Sequence, residues 1–271
     1  MNKNGFEYVT SKQNEKIKLF AKLGMSKYRN ETKLFLAEGV KLAEESVDSD
    51  SARFMLACES CADDSAIKRI LDKCGESVIK YILSDPVFEK VSTESAPQGI
   101  IAVSAVPYSH KTDREVSPTA LAGKRVAAFD SIRDPGNLGT ILRSALAFGF
   151  DAVILYDCAD IYNPKAVRAS MGAVFKMRVV TCGDLPSYLS GLKDLGRRVL
   201  GAALRDDAED FSKVDLKTSD VPVIGNEGHG IGDDVASSCS SFIKIPMTDR
   251  AESLNAAVAS SVIMWEYSKL R

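Results

Sequence analysis

The 271-residue sequence has no apolar run approaching the roughly 18 residues that a membrane-spanning helix needs, so no membrane span is expected. Its first residues, Met1 to Phe6, lack the apolar core of a secretion signal. Glu7 and Glu15 interrupt any Arg-rich transit helix, so a cytoplasmic location is expected. The six cysteines (Cys58, Cys61, Cys74, Cys158, Cys182, Cys239) are scattered along a long chain, which argues against a disulfide framework. Cys58 and Cys61 do form a C-x-x-C. Structural zinc needs four ligands, and only Cys74 lies near as a third, so no metal is expected. A net charge of −2 gives no global attraction to nucleic acid.

What is present is a length that fits two domains of about 100–200 residues each and a hydrophobic content of 45%, enough for sizeable cores. Charge is unevenly spread. Up to position 33 there are eight basic residues (Lys3, Lys12, Lys16, Lys18, Lys22, Lys27, Arg29, Lys33) against Glu7, Glu15 and Glu31, a local net of five positive charges. Such an excess suits a phosphate-contacting surface, although on its own a solvated helix face with ordinary lysines is the simpler reading.

Periodicity predicts an amphipathic helix over 11–25, with Ser11 as cap and Gly24 as stop. Strands at 34–39, 53–60, 77–84 and 99–106 alternate with helices at 40–47, 64–73 and 87–91, which implies a small α/β domain over 1–106. The stretch 107–123, with Pro107, Pro118 and Gly123 and no apolar period, reads as a linker. From 124 to 271 a second alternating series begins, with strands at 125–130, 151–157, 176–182, 197–204, 221–226 and 241–247 and a closing helix over 253–270. Near-continuous apolar strands of this kind are buried on both faces and predict a parallel sheet between helices.

Ligands of open α/β sheets bind beyond the carboxyl ends of strands, and three such segments carry polar motifs. The first is DPGNLGTILRSALAFG, where Asn137 is placed as the cap of a helix near Leu138 and Arg143 lies six residues on. The second is VIGNEGHGI, whose glycines permit close backbone approach to a ligand around Glu227. The third is IPMTDRAESLNAAVASSVIMWE, where Ser253-Leu254-Asn255 opens a helix rich in small residues. Each alone reads equally well as a capped helix or a tight turn. A dinucleotide-binding oxidoreductase does not fit, because the first strand of this half is followed by a single Gly136, not a Gly-rich turn.

In this order the three motifs resemble the SpoU/TrmH class of the SPOUT methyltransferase superfamily, over about residues 124–271. SKQNEKIKLFAKLGMSKYRNETKLFLAEG and APQGIIAV resemble the substrate-binding domain often joined to it. The resemblance implies an α/β protein with an L30e-like N-terminal domain and a C-terminal parallel-sheet domain tied in a trefoil knot. It implies a homodimer that moves a methyl group from S-adenosylmethionine to a ribose 2′-hydroxyl of RNA, most readily ribosomal RNA. Transfer RNA as the substrate, or a non-catalytic RNA-binding relative, remain alternatives.

The resemblance places the catalytic set at Arg143, Asn137, Glu227, Ser253 and Asn255. It lines the cofactor pocket with Leu204, Gly225, Asn226, Glu227, Gly228, Ile245, Met247, Ser253, Leu254 and Asn255. Asn137 and Asn255 are expected to orient Arg143 or substrate, and Glu227 to anchor the cluster. The family gives Arg143 a part in activating the hydroxyl. A guanidinium stays protonated at accessible pH, so phosphate binding and stabilisation of the developing alkoxide is the sounder role. RNA contacts are expected at Lys12, Lys16, Lys18, Lys27 and Arg29, with Arg29 and Asn30 inside the recognition stretch. One departure is the charged loop Thr248 to Glu252, where Arg250 or Glu252 is placed to alter the pocket rim.

Overall fold

The computed structural model describes residues 5–226, 228–248, 250 and 252–270. The chain forms two compact units. One comprises the residues through Pro107 together with Asp160–Phe175, the other Tyr108–Ala159 and the residues from Lys176 onward.

The first unit is built on β1 (Phe6–Val9), α1 (Glu15–Lys22), α2 (Ser26–Thr32), β2 (Leu34–Glu38), α3 (Val40–Asp48), β3 (Ala52–Cys58), α4 (Ser65–Lys73), β4 (Ile79–Leu83), α5 (Asp85–Val91) and β5 (Ile100–Ala105). Its sheet runs β1-β4-β3-β5-β2, with β1, β4 and β3 parallel and β5 antiparallel to both its neighbours. Side chains alternate between faces as a pleated strand requires. Phe35, Ala37, Met55 and Ala57 enter one core, Leu36, Leu56 and Cys58 the other. Ile17 and Phe20 of α1 and Val87, Phe88 and Val91 of α5 fill the second core, while α3 and α4 cover the first.

Two elements of this unit are not visible in the apolar pattern. β1 alternates only weakly, and α2 is a short polar helix without a side-chain cap. The first helix also starts later than its pattern suggests, because Asn14, not Ser11, accepts from the N–H groups of Lys16 and Ile17.

The second unit contains β6 (His110–Thr112), β7 (Val126–Asp130), α6 (Pro135–Ala147) and β8 (Ala152–Tyr156). After β8 come α7 (Pro164–Ala169) and α8 (Ala173–Lys176), then β9 (Arg178–Cys182), α9 (Leu185–Asp194), β10 (Val199–Ala202), β11 (Glu209–Asp210), β12 (Val221–Ile224), α10 (Asp233–Ser237), β13 (Ser241–Lys244) and α11 (Ala256–Ser268). The eight strands run β11-β13-β10-β12-β7-β8-β9-β6, and every pairing is parallel. Val126, Ala128, Ile154 and Val180 pack against Leu185, Leu189 and Leu192 of α9. The alternate residues Ala127, Phe129, Val153 and Leu155 are equally buried, on a sheet that α6 meets at β8 and α11 meets at β12. An all-parallel sheet between helices is the architecture the apolar strands imply.

The stretch 107–123 differs from the expected linker. Its β6 extends the sheet beside β9, Val116 and Leu121 are buried, and Tyr188 donates from its hydroxyl to the Val116 carbonyl at 2.8 Å. Polar composition hid these few apolar anchors. The segment Asp160–Phe175, by sequence in the middle of the second domain, is part of the first unit. There Tyr162 and Phe175 lie against Phe35, with ring centroids 5.0 and 5.6 Å apart, and Val167 and Val174 join the same core.

Candidate active site and cofactor cavity

The helix that carries Arg143 begins three residues earlier than the sequence suggests. Pro135 occupies its first turn, where a missing N–H costs nothing and a fixed φ is already helical. Asp134 is therefore the cap, its Oδ1 accepting from the Asn137 N–H at 2.9 Å. Asn137, expected as the cap, sits inside the first turn. Its Oδ1 accepts instead from Nδ2 of Asn255 at 3.0 Å.

Asn255 does two things at once. Its Oδ1 caps α11 by accepting from the N–H groups of Ala257 and Val258 at 3.0 and 3.3 Å, while its Nδ2 holds Asn137. The closing helix thus starts at Ala256, and Ser253 and Leu254 stay in the loop before it. Two further contacts follow along the same pair of helices. Ser144 and Ser261 hydroxyls are 2.8 Å apart, and Phe148 and Trp265 ring centroids 5.8 Å apart. The three rungs advance in the same direction on both helices, so α6 and α11 run parallel. The small residues Ala256, Ala257 and Ser260 are all buried, which permits a close approach.

Arg143 lies six residues beyond Asn137, about 9 Å along the axis and two-thirds of a turn beyond one full turn. It is exposed and makes no hydrogen bond or ion pair among the described residues. Its guanidinium is free for an anion.

Beyond the carboxyl ends of β10, β12 and β13 lies a cavity of about 550 Å³. Leu204 enters it from the first of these ends, Gly225, Asn226 and Gly228 from the second, and Ile245 and Met247 from the third. Ser253 and Leu254 close it. Of the expected cofactor residues, Asn255 is not in the wall and stands behind it as the helix cap, and Glu227 lies outside the described residues. The expected strand over 241–247 ends at Lys244, which frees Ile245 and Met247 for the wall. Pro246, with no N–H to donate, suits that ending.

Gly225 is required by geometry. A Cβ there would lie 2.2 Å from the carbonyl carbon and oxygen of Gly230 and 2.4 Å from the Ile231 nitrogen. The loop folds back this tightly because Asn226 and Gly230 exchange two backbone hydrogen bonds of 2.9 Å, with Gly230 at a φ of +69°.

The motifs did not single out several other lining residues: Arg205, His229, Phe242 and Lys244. Glu252, placed at the rim from the sequence, does line the cavity. The Arg205 guanidinium lies 4.2 Å over the Phe242 ring and is gripped by Asp207 at 2.8 and 3.1 Å, a contact that raises its pKa. Lys244 Nζ donates to the Arg205 carbonyl at 3.4 Å. Their positions just after or at the ends of β10 and β13 are the signal that finds them, since the strand ends bound the cavity.

In the first unit the expected RNA contacts divide. Arg29 is a correction. It is 4% exposed, its Nε and Nη2 donate to Asp160 at 2.9 and 2.7 Å, and Nη1 donates to the Leu23 carbonyl at 2.7 Å. Its donors bind the protein's own core, leaving it unsuited to phosphate. Lys12 and Lys16 are exposed, Lys16 Nζ resting 4.9 Å over the Phe54 ring. Lys18 is paired with Glu15 at 2.9 Å, and Lys27 stands 4.0 Å from Glu31. Lys90, absent from the sequence-based set, joins this surface by donating to the Lys12 carbonyl at 2.7 Å.

Known proteins resemble both parts of the chain. The family model "SpoU rRNA Methylase family" matches residues 124–265, and "MRM3-like substrate binding domain" matches residues 14–102. A 23S rRNA (guanosine(2553)-2'-O)-methyltransferase, RlmP of Bacillus subtilis (strain 168), is 34% identical over 95% of this chain and 97% of its own. An AdoMet-bound rRNA methyltransferase from Sinorhizobium meliloti superposes with a TM-score of 0.84 at 27% identity, covering 98% of both chains. The fold is shared too with an RNA 2'-O ribose methyltransferase at a TM-score of 0.80 and 24% identity, over 97% of this chain and 98% of the other. With both halves matched in order and a relative at 34% identity spanning nearly the whole length, the chain belongs to the SpoU rRNA methylase family.

Proposed function

We propose that the protein transfers a methyl group from S-adenosylmethionine to a ribose 2′-hydroxyl of ribosomal RNA. The observation that carries this reading is the Asn137–Asn255 hydrogen bond. It joins the loop that closes the cavity to the helix that presents an uncommitted arginine.

The cavity fits the methyl donor. Its volume lies within the usual range for small-molecule sites. Ile245, Met247 and Leu254 offer apolar wall, Gly225 and Gly228 offer open backbone, and Arg205, Lys244 and Glu252 offer charge at the edge. When bound, S-adenosylmethionine supplies a methyl group on a sulfonium, which leaves as a neutral thioether and needs no metal. The chain's own residues must hold the hydroxyl in line with that methyl and favour loss of its proton. Arg143 binds the adjoining phosphate and stabilises the developing alkoxide as the hydroxyl proton passes to solvent and the O–CH3 bond forms. Asn137 and Asn255 fix the start of α6 relative to the cavity, and Ser253 stands at the cavity wall.

Exposed Lys12, Lys16 and Lys27, with Lys18 and Lys90 beside them, supply sequence-independent attraction to RNA. A homodimer is part of the same reading. Val258 and Trp265 are about half exposed and, with Val262, share one stripe of α11, an apolar surface suited to a second copy. A knotted backbone in the second unit and a cytoplasmic setting complete the proposal. Tritium transfer from labelled cofactor to total RNA tests it. Label in RNA supports the reading, whereas folded protein that binds RNA and transfers no label identifies a non-catalytic relative.

A further inference from the structure

We infer that Asp130 and Asn226 form a positioning bracket that sets the cofactor loop against the helix bearing Arg143. This rests on the methyltransferase reading and assigns roles to residues that the motifs leave idle or count as cofactor contacts.

Asp130 ends β7 and is 3% exposed. Its Oδ1 accepts from the Ser131 hydroxyl at 2.8 Å and its Oδ2 from the Gly232 N–H at 2.8 Å, at the far end of the glycine loop. Ser131 turns the chain towards α6 with a φ of +58°, a left-handed conformation that is strained for a non-glycine residue. Every polar group of Ser131 is used to hold it there. Its N–H donates to the Tyr156 carbonyl at 2.9 Å, its hydroxyl to Asp130, and its carbonyl accepts from Asn226 Nδ2 at 2.9 Å.

Asn226 is equally committed. Its Oδ1 accepts from the Gly228 N–H at 2.7 Å, and its backbone N–H and carbonyl both pair with Gly230. Both ends of its side-chain amide are engaged within the protein, one Nδ2 hydrogen on the Ser131 carbonyl and Oδ1 on the Gly228 N–H. Its place in the cavity wall follows from the loop it shapes.

Four hydrogen bonds thus close a ring through Asp130, Ser131, Asn226 and the glycine loop. The start of the loop leading to α6 and both ends of the cofactor loop move as one body. Cofactor affinity and alignment of the hydroxyl-handling helix are set together, so loosening the ring harms both.

The test uses the full-length protein, with cofactor affinity by calorimetry, kcat at saturating S-adenosylmethionine, and thermal melting for wild type, Asp130→Ala, Asn226→Ala, Asp130→Asn and the double alanine variant. Each alanine variant is expected to weaken cofactor binding tenfold or more and to lower kcat by a similar factor that excess cofactor does not restore. Asp130→Asn recovers most of both, because its amide accepts from Gly232 and donates to a rotated Ser131 hydroxyl. The double variant loses little more than the worse single, as members of one ring do. Folded Asn226→Ala with wild-type affinity and kcat overturns the inference even if Asp130→Ala does not fold. Fully additive losses overturn it too. Wild type that fails to bind S-adenosylmethionine refutes the functional reading itself, whereas equal binding by wild type and variants refutes the bracket alone.

Discussion

Replacing Asn255 separates two functions that one side chain performs. Asn255→Ala removes the cap of α11 and the bond to Asn137 together. Loss of the cap costs about 1 kcal/mol, and loss of the inter-helix hydrogen bond about another 1 kcal/mol. For a chain of this size about 2 kcal/mol corresponds to a fall in Tm of roughly 4–8 °C. Asn255→Asp keeps the cap, since aspartate caps as well as asparagine and suits the positive end of the helix. It removes the donor that Asn137 Oδ1 uses, and Asn137 must turn its amide to bond again. Differential scanning calorimetry and single-turnover methyl transfer read the two effects apart. Asn255→Asp is expected to recover most of the lost Tm yet to remain at least tenfold slower than wild type. Wild-type turnover in Asn255→Asp refutes the claim that this bond organises the site, and an unchanged Tm in Asn255→Ala refutes the capping argument.

Other perturbations separate the remaining roles. Arg143→Ala is expected to lower turnover by about 100-fold or more, in the range for loss of a transition-state donor, with cofactor affinity by calorimetry unchanged because the side chain is not in the cavity wall. Gly225→Ala forces a methyl into the Gly230 backbone and is expected to abolish cofactor binding in the same assay. Arg29→Ala strands Asp160 and is expected to destabilise the protein by about 3 kcal/mol in chemical denaturation. Lys12→Glu with Lys16→Glu is expected to weaken RNA binding in filter assays and flatten its salt dependence, with the Tm preserved.

Much of the architecture was legible because it rests on runs of apolar residues. The strands of the second unit read directly as a parallel sheet, and Asp64 before α4 read as a helix start. The misses share a cause, which is that few apolar residues mark them. β1 and β6 are edge strands with mixed faces, and the stretch 107–123 is anchored by little more than Val116 and Leu121. Asp160–Phe175 belongs to the first unit through contacts distant in sequence, such as Phe35 with Tyr162, which no local period reports.

The site was legible as a set of loops and not as bonds. The motif order placed Gly225, Met247 and Ser253 in one cofactor pocket, and in the structure all three line the cavity beyond the strand ends. That Asp134 and not Asn137 caps α6 depends on how Pro135 enters the helix, and that Arg29 is buried depends on Asp160. Arg205 and Lys244 carry no motif and appear only once the strands they follow or end are side by side.

The most direct measurement is nucleoside mass spectrometry of ribosomal RNA incubated with the enzyme and S-adenosylmethionine bearing a deuterated methyl group. The expected result is deuterated methyl on a ribose 2′-oxygen, absent when Arg143→Ala replaces the wild-type enzyme. Deuterium on a base, or unlabelled RNA from folded enzyme that binds the cofactor, contradicts the account.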